Sequence, residues 1–167
     1  QQTDYAHFLE VDVRDLCWND DFTKLLFEKR ANLSTVKKAL DVGCGMGHWT
    51  QTFSPFLAPN AHVIGIDISE KWVEKAKKKL TSFKRKDISF DFQEASATSL
   101  PFPDETFDLV TCQTLLMHLD DPQKAISEML RVLKKGGKII LVEANNYVHV
   151  VRSNTAQESL SIKEQVD

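Results

Sequence analysis

Two aspartates and three glycines have the types and spacing that could bind a nucleoside. Leu40-Asp41-Val42 runs into Gly43-Cys44-Gly45-Met46-Gly47, which is typical of a strand entering a tight turn where bare backbone can approach a ligand. Asp67 ends an apolar segment about 20 residues further on, where a carboxylate can accept hydrogen bonds from a ribose diol. The alternative for Asp67 is a capping role at the following helix.

The spacing of the glycines bears on which nucleoside binds. In the dinucleotide fingerprint the last glycine comes three residues after the second, whereas here Gly43, Gly45 and Gly47 alternate. Asp41 lies two residues before the first glycine, where a carboxylate is a poor neighbour for a pyrophosphate and a good one for a cation. The turn therefore favours a cationic amino-acid nucleoside over NAD.

Alternating strands and helices would position these residues. Short apolar segments predict five strands, and between them lie amphipathic stretches with helix signals. This alternation of strands and helices predicts a Rossmann-like α/β fold. Its sheet is expected to be doubly wound and mainly parallel, with helices on both faces. The predicted strands are 39–42, 62–67, 88–92, 107–112 and 138–143, and 88–92 alternates like a strand near a sheet edge.

The last predicted helix illustrates the pattern. Asp121-Pro122 offers an N-cap followed by a proline at the first helical position. The apolar face is predicted to contain Ala125, Ile126, Met129, Leu130 and Leu133. Lys134 and Lys135 suit its C-terminal dipole, and Gly136-Gly137 is expected to end it.

Composition limits the possible partners. The 167 residues suit one domain core, and the 42% hydrophobic and 27% charged fractions are ordinary for a globular protein. A net charge of -3 does not indicate the basic surface that is typical of nucleic-acid-binding proteins. No apolar run in the sequence is long enough to span a membrane. Three scattered cysteines at 17, 44 and 112 predict reduced thiols, a cytoplasmic location and no metal site.

The ordered set of motifs resembles the class I S-adenosylmethionine-dependent methyltransferases, in particular the small-molecule group that includes the ubiquinone and menaquinone enzymes. The resemblance covers about residues 37–145. Beyond the glycine turn and Gly65-Ile66-Asp67, it rests on three further segments: Leu100-Pro101-Phe102-Pro103-Asp104-Glu105-Thr106-Phe107-Asp108-Leu109-Val110, His118-Leu119-Asp120-Asp121-Pro122 and Leu133-Lys134-Lys135-Gly136-Gly137.

The resemblance implies a role for each matching position. Asp41 would orient the methionine amino group through water. The backbone of Gly43, Cys44 and Gly45 would contact the methionine and the ribose. Asp67 would accept both ribose hydroxyls, and Ile68 would pack on the adenine. Ser96 and Ala97 would flank the adenine, and Gln113 would line the sulfonium end. Relatives often have an aspartate where this chain has Ser96, and a serine brings no charge.

The implied reaction transfers a methyl group from S-adenosylmethionine to a small-molecule acceptor and leaves S-adenosylhomocysteine. His118 follows the fourth strand and is the candidate general base, if the acceptor needs one. Its alternative, which the adjacent Asp120-Asp121-Pro122 favours, is a capping or packing histidine. A non-catalytic module that binds S-adenosylmethionine, and a dehydrogenase, are the competing functions.

Three regions are expected along the chain. Residues 1–36 form an N-terminal helical cap or a substrate lid, with one helix over about 21–30. Residues 37–145 form the cofactor-binding core. Residues 146–167 are a tail with a possible short strand at 147–151. The family's sheet normally has seven strands, so the five clear strands suggest a chain truncated after the fifth.

Overall fold

The computed structural model describes residues 20–144 and 149–153. The strands are β1 Lys38–Val42, β2 His62–Asp67, β3 Ser89–Glu94, β4 Phe107–Gln113, β5 Leu133–Ala144 and β6 His149–Ser153. The α-helices are α1 Asp20–Lys24, α2 His48–Phe53, α3 Glu70–Leu80 and α4 Pro122–Val132. A π-helical segment follows α1 at Leu25–Arg30, and short 3-10 turns lie at Leu33–Thr35, Ser54–Phe56 and Leu116–His118.

One sheet contains all six strands in the order β3-β2-β1-β4-β5-β6. Strands β1 to β5 are parallel, and β6 pairs antiparallel with β5. The winding reverses between β1 and β4, where a doubly wound sheet leaves a crevice at the carboxyl ends of its strands. The predicted Rossmann-like α/β class is confirmed, and β3 lies at the sheet edge as predicted.

Two apolar layers cover the two faces of the sheet. Neighbouring residues of β1 alternate between them, since Ala39 belongs to one buried cluster and Leu40 to the other. The first layer contains residues of α2 and α3, and the second contains residues of α4. Because both faces are packed, the parallel strands read as nearly continuous apolar runs in the sequence.

Helix α4 differs from its predicted course. It starts at Pro122 with Asp121 Oδ1 accepting a hydrogen bond from the Lys124 amide at 2.9 Å, as expected for an N-cap. It ends at Val132, because Leu133 is already extended and pairs with Phe107. The predicted apolar face is wrong at Leu130, which is 47% exposed, whereas Val132 is fully buried. The buried stripe of α4 consists of Ala125, Met129 and Val132.

The two ends of the chain are described only in part. The predicted helix over about 21–30 is confirmed, since the chain is helical from Asp20 to Arg30. Residues 1–19 of the predicted cap, and 145–148 and 154–167 at the C-terminal end, lie outside the described residues, including the first two positions of the predicted tail strand 147–151. The possible tail strand corresponds to β6, whose register with β5 runs from Ile140↔Ser153 to Ala144↔His149.

Candidate functional site

The glycine turn between β1 and α2 has a backbone that side chains rarely tolerate. Gly43, Gly45 and Gly47 have φ values of 70°, 51° and 82°, in the left-handed region. A Cβ on Gly43 would lie 2.6 Å from Leu115 Cδ1, whereas a Cβ on Gly45 would meet no atom of the described residues within 4 Å. Gly43 therefore lies against the segment that follows β4, and Gly45 borders open space.

Hydrogen bonds tie this turn to the end of β2. The Cys44 amide donates to Ile66 O at 2.8 Å, and the Gly45 amide donates to Asp67 Oδ2 at 2.9 Å. These two amides are thus used within the protein. The Cys44 thiol is buried, and burial raises its pKa, so it stays protonated.

Asp67 organises the crevice beyond that turn. Its second oxygen, Oδ1, accepts a hydrogen bond from the Ser69 amide at 2.9 Å, just before α3. The Ser69 side chain makes no capping hydrogen bond. A carboxylate can accept about four hydrogen bonds, so each oxygen of this half-buried Asp67 keeps capacity for a further donor.

Asp41 is a fully buried carboxyl group within β1. Its Oδ2 accepts a hydrogen bond from Thr50 Oγ1 at 2.5 Å, and its buried Oδ1 has no hydrogen-bond partner among the described residues. Burial raises the pKa of Asp41 to about 7; the hydrogen bond from Thr50 opposes this rise and the charge of Asp67 adds to it. Asp41 therefore titrates near neutral pH and has a free oxygen.

The segments after β2 and β3 lie beside Asp67. The Ala95 amide donates to Asp67 O at 3.0 Å, which holds the start of the 95–99 segment next to the end of β2. Ile68 is 75% exposed. Ser96 Oγ lies 2.9 Å from Thr98 Oγ1, and Ala97 is buried.

The segment after β4 forms the other wall. Gln113 is half-buried at the strand end, and Thr114 has a φ of 51°. Leu115 then packs on Gly43, and the 3-10 turn ends at His118, which is exposed. The crevice is thus bounded by the glycine turn, Asp67 and this segment.

A comparison with known proteins identifies the family. A family model described as a methyltransferase domain matches residues 40–141, which include all the crevice elements up to β5. The chain belongs to the methyltransferase-domain family. The confirmed resemblance and this family imply the use of S-adenosylmethionine.

Named relatives agree with this membership. An uncharacterized methyltransferase of Bacillus subtilis, YcgJ, is 38% identical over 71% of this chain and 45% of its own length. A demethylmenaquinone methyltransferase of a Geobacillus species is 34% identical over 79% of this chain and 53% of its own. The chain thus spans about half the length of these curated relatives.

Solved structures give the same fold. The crystal structure of YcgJ superposes with a TM-score of 0.63 and 35% identity, covering 74% of this chain and 50% of that one. The crystal structure of the cyclase SpnF superposes with a TM-score of 0.61 and 32% identity, covering 74% of this chain and 44% of that one. Proteins with more than one named activity therefore share this fold.

Within the methyltransferase domain, most of the predicted site residues come together. Direct contacts connect the glycine turn with Asp67 and with the segment after β4. Ser96 and Ala97 follow Ala95, whose amide bonds to Asp67. His118 lies on the segment after β4, where its amide donates to Leu115 O at 2.9 Å.

Sequence reasoning missed Glu143, near the end of β5. Its Oε1 accepts hydrogen bonds from the amides of Leu115 at 3.0 Å and Leu116 at 2.9 Å. Its Oε2 is buried and has no hydrogen-bond partner in the described part of the chain. The signal was available, because Glu143 ends the fifth predicted strand and the carboxyl ends of parallel strands meet at one edge.

Within residues 20–144 and 149–153, no group of three or more His, Cys, Asp or Glu side chains is arranged to hold a metal ion. In the same ranges, no helix has the length and apolar character needed to cross a bilayer.

Proposed function

We propose that the domain binds S-adenosylmethionine in this crevice and transfers its methyl group to a small-molecule acceptor. The observation that carries the proposal is the free, fully buried Oδ1 of Asp41. A buried carboxyl oxygen without a donor costs about 1–3 kcal/mol. A ligand that presents an ammonium group to it, directly or through water, removes that cost and stabilises the ionised carboxylate.

The remaining residues fit the rest of such a ligand. Asp67 has spare hydrogen-bonding capacity for two ribose hydroxyls, and the open space beside Gly45 admits a ligand close to the backbone. The exposed Ile68 offers an apolar surface for a purine ring. Ser96, Ala97 and Gln113 are the proposed neighbours of the adenine and of the sulfonium end.

Bound S-adenosylmethionine supplies a methyl group that its positively charged sulfur already activates for in-line displacement. The protein then contributes alignment and exclusion of water, and in favourable systems proximity and orientation supply about 7–11 kcal/mol. In this proposal Asp41, which precedes the glycine turn, and Asp67, which bonds to Gly45 in its middle, orient the donor. No cation of the described residues pairs with either carboxylate, so their negative charge favours a cationic ligand.

His118 is the proposed general base for an acceptor that must lose a proton. It is exposed, and it lies on the segment that packs Leu115 on Gly43. The adjacent Met117 is 59% exposed, so the segment presents apolar surface beside the imidazole. This arrangement, with the demethylmenaquinone methyltransferases among the relatives, supports an apolar phenolic or quinol acceptor.

Calorimetry with S-adenosylhomocysteine tests the proposed site. At pH 6 most Asp41 carries a proton if its pKa is about 7. An ammonium group at Oδ1 favours the ionised form, so binding should release about one proton, measured by repeating the titration in buffers of different ionisation enthalpy. Asp41→Asn should abolish the release. Binding of NAD but not of S-adenosylhomocysteine would contradict the proposal.

Methyl transfer needs a separate measurement, because a structural relative is named a cyclase. The full protein is incubated with methyl-labelled S-adenosylmethionine and either a demethylated quinol or a hydrophilic amine. Label in the quinol product, reduced at least about 10-fold in His118→Ala, is the expected result. Binding of S-adenosylhomocysteine without transfer to any acceptor would favour the non-catalytic alternative.

A further inference from the structure

Glu143 connects β5 to the segment after β4 through a single carboxylate oxygen. Oε1 accepts from two consecutive backbone amides, Leu115 at 3.0 Å and Leu116 at 2.9 Å. Hydrogen bonds to a charged acceptor are stronger than those between neutral groups. The start of the 3-10 turn is therefore fixed by a residue 27 to 28 positions further along the chain.

The backbone that these bonds hold is strained. Thr114 immediately precedes Leu115, and its φ of 51° is uncommon for a β-branched residue. Its amide donates to Val142 O at 2.7 Å. Such conformations persist only where the surroundings fix them, and here β5 provides all three hydrogen bonds.

The segment after β4 in turn packs on the glycine turn. The space that a Cβ would need at Gly43 is taken by the Leu115 side chain, whose Cδ1 lies 2.6 Å from that position. Contact therefore runs from Glu143 through the Leu115 backbone and side chain to Gly43.

We propose that Glu143 is a positioning residue for the glycine turn. It fixes Leu115 against Gly43 by accepting two amide hydrogen bonds, and this contact sets the shape of the turn that binds the donor. The ligand-binding part of the inference rests on the proposed function. The role requires an acceptor oxygen at the place of Oε1 and requires no negative charge.

Two substitutions in the full chain separate positioning from charge. Glu143→Ala removes the acceptor, so the affinity for S-adenosylhomocysteine in calorimetry should fall about 10-fold. Glu143→Gln keeps an amide oxygen that can accept from Leu115 and Leu116, so affinity should stay within about 3-fold of wild type. If Glu143→Ala does not fold, Leu115→Ala removes the contact with Gly43 and should weaken binding similarly.

Asp108 provides a matched control at the opposite end of the sheet. Its Oδ2 also accepts from two consecutive amides, Lys37 at 3.0 Å and Lys38 at 2.9 Å. Asp108→Ala should leave affinity within about 2-fold of wild type. Equal weakening in Asp108→Ala and Glu143→Ala would overturn the proposal in favour of general loosening of the sheet.

An NMR measurement on the ligand-free protein tests the positioning role of Glu143 separately from the proposed function. The amide resonance of Gly43 in ¹H–¹⁵N spectra should shift in Glu143→Ala and stay near its wild-type position in Glu143→Gln. An unshifted Gly43 resonance, wild-type affinity in Glu143→Ala, or equal weakening in both Glu143 variants would overturn the positioning role. Failure of the wild type to bind S-adenosylhomocysteine would count against the proposed function. The Gly43 resonance would still show whether Glu143 positions the glycine turn.

Discussion

At the amino ends of the parallel strands, carboxylates are paired with cations. Asp108 accepts two backbone amides on Oδ2 and Lys134 Nζ on Oδ1, the latter at 2.7 Å. Arg131 binds both Asp104 and Glu128 beside the loop that leads into β4. Arg85 and Asp87 form an ion pair ahead of β3.

At the carboxyl ends, Asp41, Asp67 and Glu143 have no lysine or arginine partner among the described residues. Two of the three, Asp41 and Glu143, have a buried oxygen with no hydrogen-bond partner in the part of the chain that the structure describes. The fold thus satisfies its charges at one end and leaves acceptors unsatisfied at the other. A cationic ligand with many hydrogen-bond donors would therefore gain the most binding free energy at the carboxyl ends of the strands.

The largest expected effect concerns Asp41. Its folded pKa of about 7 exceeds the ordinary value of 3.8, so between these pH values the folded state holds a proton that the unfolded state has released. The contribution of Asp41 to stability should therefore fall by roughly 4 kcal/mol as pH rises from 4 to 8. Asp41→Asn should lack this fall, as measured by urea unfolding at several pH values. Parallel profiles for wild type and variant would contradict the raised pKa.

Asp67→Ala should have the next largest effect. It removes the acceptor for two proposed ribose hydrogen bonds and for the Gly45 amide, so the affinity for S-adenosylhomocysteine should fall about 100-fold. Calorimetry at pH 7.5 measures this, with circular dichroism as the check on folding. Asp91→Ala, at an exposed position of β3, is the control and should bind normally. Unchanged affinity in Asp67→Ala would show the ribose assignment to be wrong.

Asp108→Ala should change stability and leave binding intact. It leaves the amides of Lys37 and Lys38 without their acceptor, at an expected cost of about 1–3 kcal/mol in urea unfolding at pH 7.

The pH dependence at Asp108 has the opposite sign to that of Asp41. Although partial burial opposes it, hydrogen bonds from Lys134 and the two amides hold the pKa of Asp108 below its usual value. Its contribution is therefore present above the unfolded pKa and is lost as pH falls through the folded pKa. The stability gap between wild type and Asp108→Ala should narrow below about pH 4. A gap that widens in acid would contradict this assignment.

The smallest effect compares two exposed apolar side chains. Ile68→Asp should weaken S-adenosylhomocysteine binding about 10-fold, because a charge replaces the apolar surface proposed for the adenine. Leu130→Asp, on the outer side of α4, should leave the affinity unchanged. Both unfolding midpoints should stay near wild type, since neither side chain is buried. Equal affinities in the two variants would remove Ile68 from the proposed site.

Local patterns were enough to predict the elements and most of the crevice. Strand β2 has its predicted bounds, 62–67. Helix α4 was harder, because its continuous apolar series does not fix which residues face the sheet. Leu130 and Val132 differ in burial only because of the rotation at which α4 packs.

The sequence by itself determined the family, the parallel sheet and the candidate cofactor residues, because glycine spacing, strand-terminal carboxylates and apolar periodicity are local properties. Only the tertiary structure decided which carboxylates find partners. Asp108 meets Lys134 and the start of β1, whereas Glu143 meets Leu115 and Leu116 in the segment after the neighbouring strand β4. Burial, partnership and pKa depend on residues distant in the chain, so no local pattern contains them.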